Sequence, residues 1–383
     1  MRNGLRVRKG LIMKFQGWII AGPSHVELKE FDTEVGGGLV STDSPDFETA
    51  PRTPLRDDQV ILRNIKSAIC GSDKWLYPLG GDIRRPRGCQ FGHEMVSEII
   101  AMGKDVKGFE LGDRVYPFPI YVKESTAFAG RPGAFSELVV CDYAEVNKNL
   151  YHLDERITDT SAAMIEPFTV GFRSAVTTRA KPGERAVVLG AGPIGLAAAI
   201  CLREMGVEDI TVVNRSRGRL EIAKALDKEQ PFHTVSTLDE GWLEGLEERF
   251  GTTRTQTGPA LDVDVWIDAA SNAELLQTVY NKCKLFARIS VVGVHHKPVE
   301  FDLRKLTWSG VELLGSAGYR PEDVPNVMKA MESGRYDIDS LVTATYPFQK
   351  FDEAIEFCQD GSKCLKCELD FSESEYANWR DTL

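Results

Sequence analysis

Three short fragments of the chain carry side chains able to hold a metal ion. Cys70-Gly71-Ser72-Asp73 offers a thiolate, Gly92-His93-Glu94 an imidazole with a carboxylate beside it, and Glu166-Pro167 a second carboxylate. All three ligand types suit zinc, and three protein ligands plus water describe an open catalytic site rather than a closed structural one. Glu94 and Glu166 compete for the third place. Asp73 stands where it could orient the imidazole from behind the ligands. Taken singly, each fragment is equally a buried cysteine or a satisfied histidine. Cys364-x-x-Cys367 finds no partner pair and reads as part of a terminal strand, KCLKCELDF.

The second signal is Gly190-Ala191-Gly192-Pro193-Ile194-Gly195, a G-x-G-x-x-G string that follows the apolar run AVVL and opens a helical pattern. The first glycine permits the tight turn, the second lets backbone approach a pyrophosphate, and the third packs helix against strand. The free N–H groups at the helix start then face the anion. A carboxylate normally ends the next strand when the adenosine ribose is unphosphorylated, but here Asn214 is followed by Arg215. A guanidinium binds a 2′-phosphate where a carboxylate repels it, so the pair favours NADP(H) over NAD(H).

These residues need elements to position them. From Phe15 to about Val140, short apolar runs bounded by turns read as strands, with a hairpin around Ala21–His25 and a long Gly-, Pro- and Ser-rich excursion over Gly36–Asp58. Helical spacing spans Thr158–Ala180. Then come alternating units: AVVLG, PIGLAAAICLREMG, DITVVN, GRLEIAKAL, VDVWIDA, AELLQTVYNKC and RISVVGV. Apolar strands alternating with helices predict a parallel sheet covered on both faces. Helices are expected over Pro321–Ser333 and Phe348–Gln359, and a strand over Leu365–Phe371.

The whole chain sets limits on this reading. Its 383 residues suffice for two domains. With 46 basic against 57 acidic residues, the net charge of −11 argues against a nucleic-acid partner. The uncharged run Ala186–Leu202 is 17 residues with three glycines, short for a bilayer span. The basic start, residues 1–13, is followed by no apolar signal core. Eight scattered cysteines fit reduced thiols in a cytoplasm.

Together these marks resemble the zinc-dependent medium-chain dehydrogenase/reductase family, in its sorbitol-, threonine- and glucose-dehydrogenase-like branch. They run in family order: C-G-S-D at 70–73, G-H-E at 92–94, G-D-R-V at 112–115, E-P at 166–167, G-x-G-x-x-G at 190–195 and V-V-G-V at 291–294. The resemblance implies an α/β protein: a GroES-like β-barrel catalytic domain from residues 1–178 and 318–383, plus a Rossmann doubly wound parallel-sheet domain over 179–317, with the active site in the cleft. It implies one catalytic zinc held by Cys70, His93 and either Glu94 or Glu166, with Asp73 behind them and Ser72 as the first hydroxyl of a proton relay. Gly190, Gly192, Pro193, Ile194, Gly195, Asn214, Arg215 and Arg219 would hold the nucleotide. The implied activity is reversible hydride transfer between NADP and a secondary alcohol (a polyol, sugar or related compound), by a homodimer or homotetramer.

The chain also departs from the family. Tyr116–Phe135 holds none of the four cysteines that bind a structural zinc in relatives, so that metal is expected to be absent. Trp75 replaces the histidine that usually ends the relay, and Ser97 replaces a glycine three residues after G-H-E. Trp75, Tyr116 and Phe118 are candidates for an aromatic pocket lining. His295-His296 read as exposed loop histidines rather than a second metal site, and Arg84-Arg85-Pro86-Arg87 as a solvated loop, the alternative being a receiver for an acidic or phosphorylated substrate. The rival readings are a zinc-free enone or quinone reductase of the same superfamily and a non-enzymatic NADPH-binding protein.

Overall fold

The computed structural model describes residues 12–34, 48, 54–83, 85–123, 132–256 and 258–382. Most of the Gly36–Asp58 excursion, the first eleven residues, Arg84 and part of the cysteine-free stretch (124–131) lie outside those residues. The chain packs as two units, Met1–Glu166 with Val342–Leu383, and Pro167–Leu341.

The first unit opens with an antiparallel hairpin, β1 (Lys14–Gly22) and β2 (His25–Asp32), joined by the expected turn. There follow β3 (Val60–Ala68), β4 (Glu94–Met102), β5 (Arg114–Pro117), β6 (Leu138–Cys141) and β7 (Leu150–His152). Strand β4 is buried on both faces because its residues serve different cores. Met95 and Ile99 join one apolar cluster, and Ile100 and Ala101 another. Between β3 and β4 lies a short helix, α1 (Gly71–Leu76). The single helix expected over 158–180 is two, α2 (Asp159–Ala163) and α3 (Ile165–Thr177), the latter passing into the second unit at Pro167. The break at Met164, with φ −98° and ψ 4°, starts a fresh turn that carries Glu166, where a carboxylate meets the positive end of the helix.

The second unit is built on β8 (Arg185–Leu189), α4 (Pro193–Glu204), β9 (Asp209–Asn214), α5 (Arg217–Leu226), β10 (His233–Ser236), α6 (Trp242–Phe250), the small hairpin β11 (Thr252–Thr255) and β12 (Gly258–Leu261), β13 (Val265–Asp268), α7 (Ala273–Lys282), β14 (Arg288–Val291), α8 (Leu303–Ser309), β15 (Glu312–Gly315) and α9 (Val324–Glu332). Its main sheet runs β10-β9-β8-β13-β14-β15, all parallel. Strand order reverses between β8 and β13, and such a switch point opens a crevice outside the carboxyl ends of the strands. Central strands are fully apolar, as at Ala186–Leu189. The edge strands β10 and β15, with sequences HTVS and ELLG, are partly exposed.

The chain then returns to the first unit as β16 (Val342–Pro347), α10 (Phe351–Gln359) and β17 (Lys366–Asp370). Strand β17 pairs antiparallel with β3, setting Glu368 opposite Ala68, and the sheet order becomes β16-β17-β3-β4-β5-β7 with β6 on β3. That pairing carries Lys366 and Glu368 beside β3, which leads into Cys70 and pairs with β4 at Glu94. Among the described residues no helix is long and apolar enough to cross a membrane.

Candidate active site

Cys70 follows β3 and caps α1. Its Sγ accepts the Ser72 N–H at 3.4 Å, while Asp73 accepts the Cys70 N–H at 3.0 Å, a reciprocal cap that fixes both side chains. His93 and Glu94 enter from the start of β4, both buried. One donor atom from each of Cys70, His93 and Glu94 lies within 4.8 Å of the others. Among the described residues, His93 Nδ1 and Glu94 Oε1 are buried without a hydrogen-bond partner. Buried polar atoms left without a partner are costly, and a thiolate, an imidazole and a carboxylate are the ligand types that hold zinc. Burial opposes charge on His93, yet the Cys70 sulfur beside it, with Asp73 and Glu166, outweighs that and holds the imidazole well above its usual range.

Glu166 is buried and close enough for its carboxylate to act on His93 and on Tyr116. Lys366, from β17, is a member of this cluster that sequence reasoning missed. Its buried ammonium pairs with Glu94 and donates to Ile69 O at 3.1 Å. Burial works against that charge, but Glu94 and Cys70 more than offset it and keep Lys366 protonated. Tyr116, a candidate for pocket lining, is instead wholly buried against Tyr151 and Phe118, and its hydroxyl has no hydrogen-bond partner among the described residues. Phe118 is likewise packed core. Trp75 is about half exposed.

Asp73 does not hold His93 by a hydrogen bond among the described residues; it is spent on Cys70 N–H and on Arg85. The loop expected to be solvated is not, at Arg85. That side chain is buried, and its Nη1 donates to Ser72 Oγ at 3.1 Å. Ser97 donates to Asn64 Oδ1 at 2.8 Å, a bond no glycine could make.

In the second unit, Gly190 has φ +104°, and a side chain there would meet Ala269 O at 2.8 Å. A Cβ on Gly195 would fall 2.0 Å from Gly190 O, so the turn and the helix close only with glycines. Gly192 caps α4, with Pro193 and Ile194 in its first turn, and a Cβ on it would meet nothing within 4 Å. That open approach is the room a pyrophosphate needs. Asn214 Oδ1 accepts from Ala191 N–H at 3.4 Å, tying the end of β9 to the turn. A cavity of about 430 Å³ is lined by Gly190, Asn214, Arg215, Trp242 and Asn272. Arg215 is exposed, Arg217 is paired with Asp239, and Arg219 lies in the first turn of α5.

Comparison with known proteins agrees with both halves. Residues 56–150 match the alcohol dehydrogenase GroES-like domain, and residues 193–333 the zinc-binding dehydrogenase family. The chain belongs to the zinc-dependent medium-chain dehydrogenase/reductase family. An L-threonine 3-dehydrogenase from Pectobacterium carotovorum is 24% identical over 331 residues, covering 82% of this chain and 92% of that one. The fold is shared with a crystal structure of 2R,3R-butanediol dehydrogenase from Bacillus subtilis (TM-score 0.74, 21% identity, 93% and 99% of the two chains). It is shared too with L-idonate 5-dehydrogenase from Escherichia coli (TM-score 0.74, 19% identity, 94% and 99%).

As a member of this dehydrogenase family, the chain is an oxidoreductase of CH–OH groups that uses zinc and a nicotinamide cofactor on a small-molecule substrate. Its own features fit both groups: the orphaned His93 and Glu94 atoms fit a cation, and the open Gly192 fits a dinucleotide. His295, expected to be an exposed loop residue, is instead held by Asp268, Nε2 to Oδ2 at 2.6 Å, at the carboxyl end of β13; His296 is exposed. Cys364 and Cys358 lie 3.5 Å apart, sulfur to sulfur, buried in the apolar core of the first unit with Cys367.

Proposed function

We propose that this dehydrogenase transfers hydride reversibly between NADP and a secondary alcohol of the polyol or sugar class. The observation that carries the reading is the placing of one donor atom each from Cys70, His93 and Glu94 within 4.8 Å of the others. Cys70 and His93 would hold the zinc with the Glu94 carboxylate, and Glu166 stands as the second carboxylate of the pocket. The chemistry a bound zinc ion supplies is Lewis acidity toward the substrate oxygen. Ser72 Oγ takes the proton of the substrate hydroxyl and returns its own to water. Lys366 pairs with Glu94 Oε2, while Glu94 Oε1 has no hydrogen-bond partner among the described residues. The N–H groups at the start of α4 receive the pyrophosphate, and Asn214, Arg215 and Arg219 the adenosine ribose. Arg215 beside the cavity, with no carboxylate at position 214, supports NADP over NAD.

The test is turnover of L-threonine, 2R,3R-butanediol and L-idonate as probe alcohols with each cofactor, before and after chelation. NADP-linked oxidation of at least one, abolished by chelator and restored by zinc, is expected. Turnover that survives removal of all metal would instead favour the zinc-free reductase reading.

A further inference from the structure

The family's relay histidine is replaced by Trp75, yet Ser72 is not left alone. Arg85 reaches it from a loop thirteen residues on, with Nη1 3.1 Å from Ser72 Oγ and 3.4 Å from Asp73 Oδ1. The guanidinium is itself anchored. Asp82 accepts the Arg85 backbone N–H at 2.7 Å, its other oxygen lies 3.4 Å from Nη2, and Asp82 N–H returns to Arg85 O at 3.1 Å. The side chain is only 9% exposed, flanked by one carboxylate that is fully buried and one that is mostly so. Two carboxylates already compensate its charge, so its role is not to receive an anionic substrate.

We infer that Arg85 is a positioning residue for the Ser72 hydroxyl in the reaction proposed above. A serine hydroxyl has one hydrogen and two lone pairs, and its rotor is otherwise free. Arginine can only donate and keeps its proton at any working pH. Its bond therefore occupies one lone pair of Ser72 Oγ permanently. The hydroxyl hydrogen is never spent on Arg85, and the hydrogen and second lone pair face the remaining directions, where substrate oxygen and solvent are met. Arg85 thus fixes the donor geometry of Ser72 without touching substrate. Asp73 and Asp82 hold the guanidinium in line, which explains why Asp73 is turned to Arg85 rather than to His93.

The inference rests on the dehydrogenase reading, and a double-mutant cycle in the zinc-loaded enzyme tests it. Arg85→Ala should lower kcat for the oxidised probe alcohol about tenfold or more, the worth of one charged hydrogen bond, with KM for NADP unchanged. In a Ser72→Ala background the same substitution should cost almost nothing, and Arg85→Lys, which keeps a charged donor, should recover most of the loss. Affinity of the enzyme–NADP complex for trifluoroethanol, an unreactive alcohol, gives a second readout by calorimetry and should follow the same pattern. An equal loss from Arg85→Ala with and without Ser72, in rate or in binding, overturns the inference while leaving the dehydrogenase reading intact. A wild-type enzyme that neither turns over nor binds any alcohol overturns both.

Discussion

In the proposed reading, the preference for NADP over NAD rests chiefly on the exposed side chain at position 215. Arg215 lines the cavity at the end of β9 and makes no ion pair among the described residues, whereas its neighbour Arg217 is already committed to Asp239. Arg215→Ala should therefore weaken NADPH binding by about 1.5–3 kcal/mol and leave NADH almost untouched, as isothermal titration with each cofactor will read. Equal loss for both would remove the 2′-phosphate from its role. Cys70, His93 and the three glycines are legible in the sequence because their chemistry is local: residue type and spacing declare them. Lys366 and Arg85 are not. Lys366 meets Glu94 across 272 positions, and nothing in KCLKCELDF says which lysine turns inward. Arg85 sits in a run of arginines whose composition reads as a solvated loop, and the closed turn with Asp82 and the bonds to Ser72 and Asp73 hold it buried.

Among the elements, β17 carries the consequence that is easiest to measure. Lys366 and Glu368 share one face of the strand, both buried, with Lys66 3.1 Å from Glu368 Oε2. Burial pushes the Glu368 carboxyl up to about 7 from 4.5, against the opposing pull of Lys66, Thr160 and Lys366. The folded state therefore keeps a proton that the unfolded chain has already lost between those two values. Below about pH 4.5 both states are protonated and nothing is lost; stability should fall as pH rises from there to about 7, and by roughly 3 kcal/mol in all from this group. Urea unfolding at several pH values will show it, and Glu368→Gln should flatten that slope. A slope unchanged in the variant would place the titration elsewhere. Element existence is largely readable from period and turn residues. The misses have physical causes: β10 and β15 are short edge strands, half solvated and without apolar alternation. The long helix expected over 158–180 is broken because helical spacing alone does not reveal the change of direction at Met164.

For the whole molecule, the division of labour between two units makes the central claim testable. The candidate metal donors lie in the unit of Met1–Glu166 with Val342–Leu383, and the candidate dinucleotide turn in Pro167–Leu341. Losing the first site should leave the second intact. The most direct measurement is zinc per chain, by elemental analysis of protein purified without chelator, on the wild type and on Cys70→Ala, with NADPH affinity recorded for both. One equivalent in the wild type, close to none in the variant, and unchanged NADPH binding is the predicted result. A wild type that stays empty after zinc reconstitution, or a variant that keeps its full equivalent, would contradict the assignment of Cys70, His93 and Glu94 to a catalytic metal.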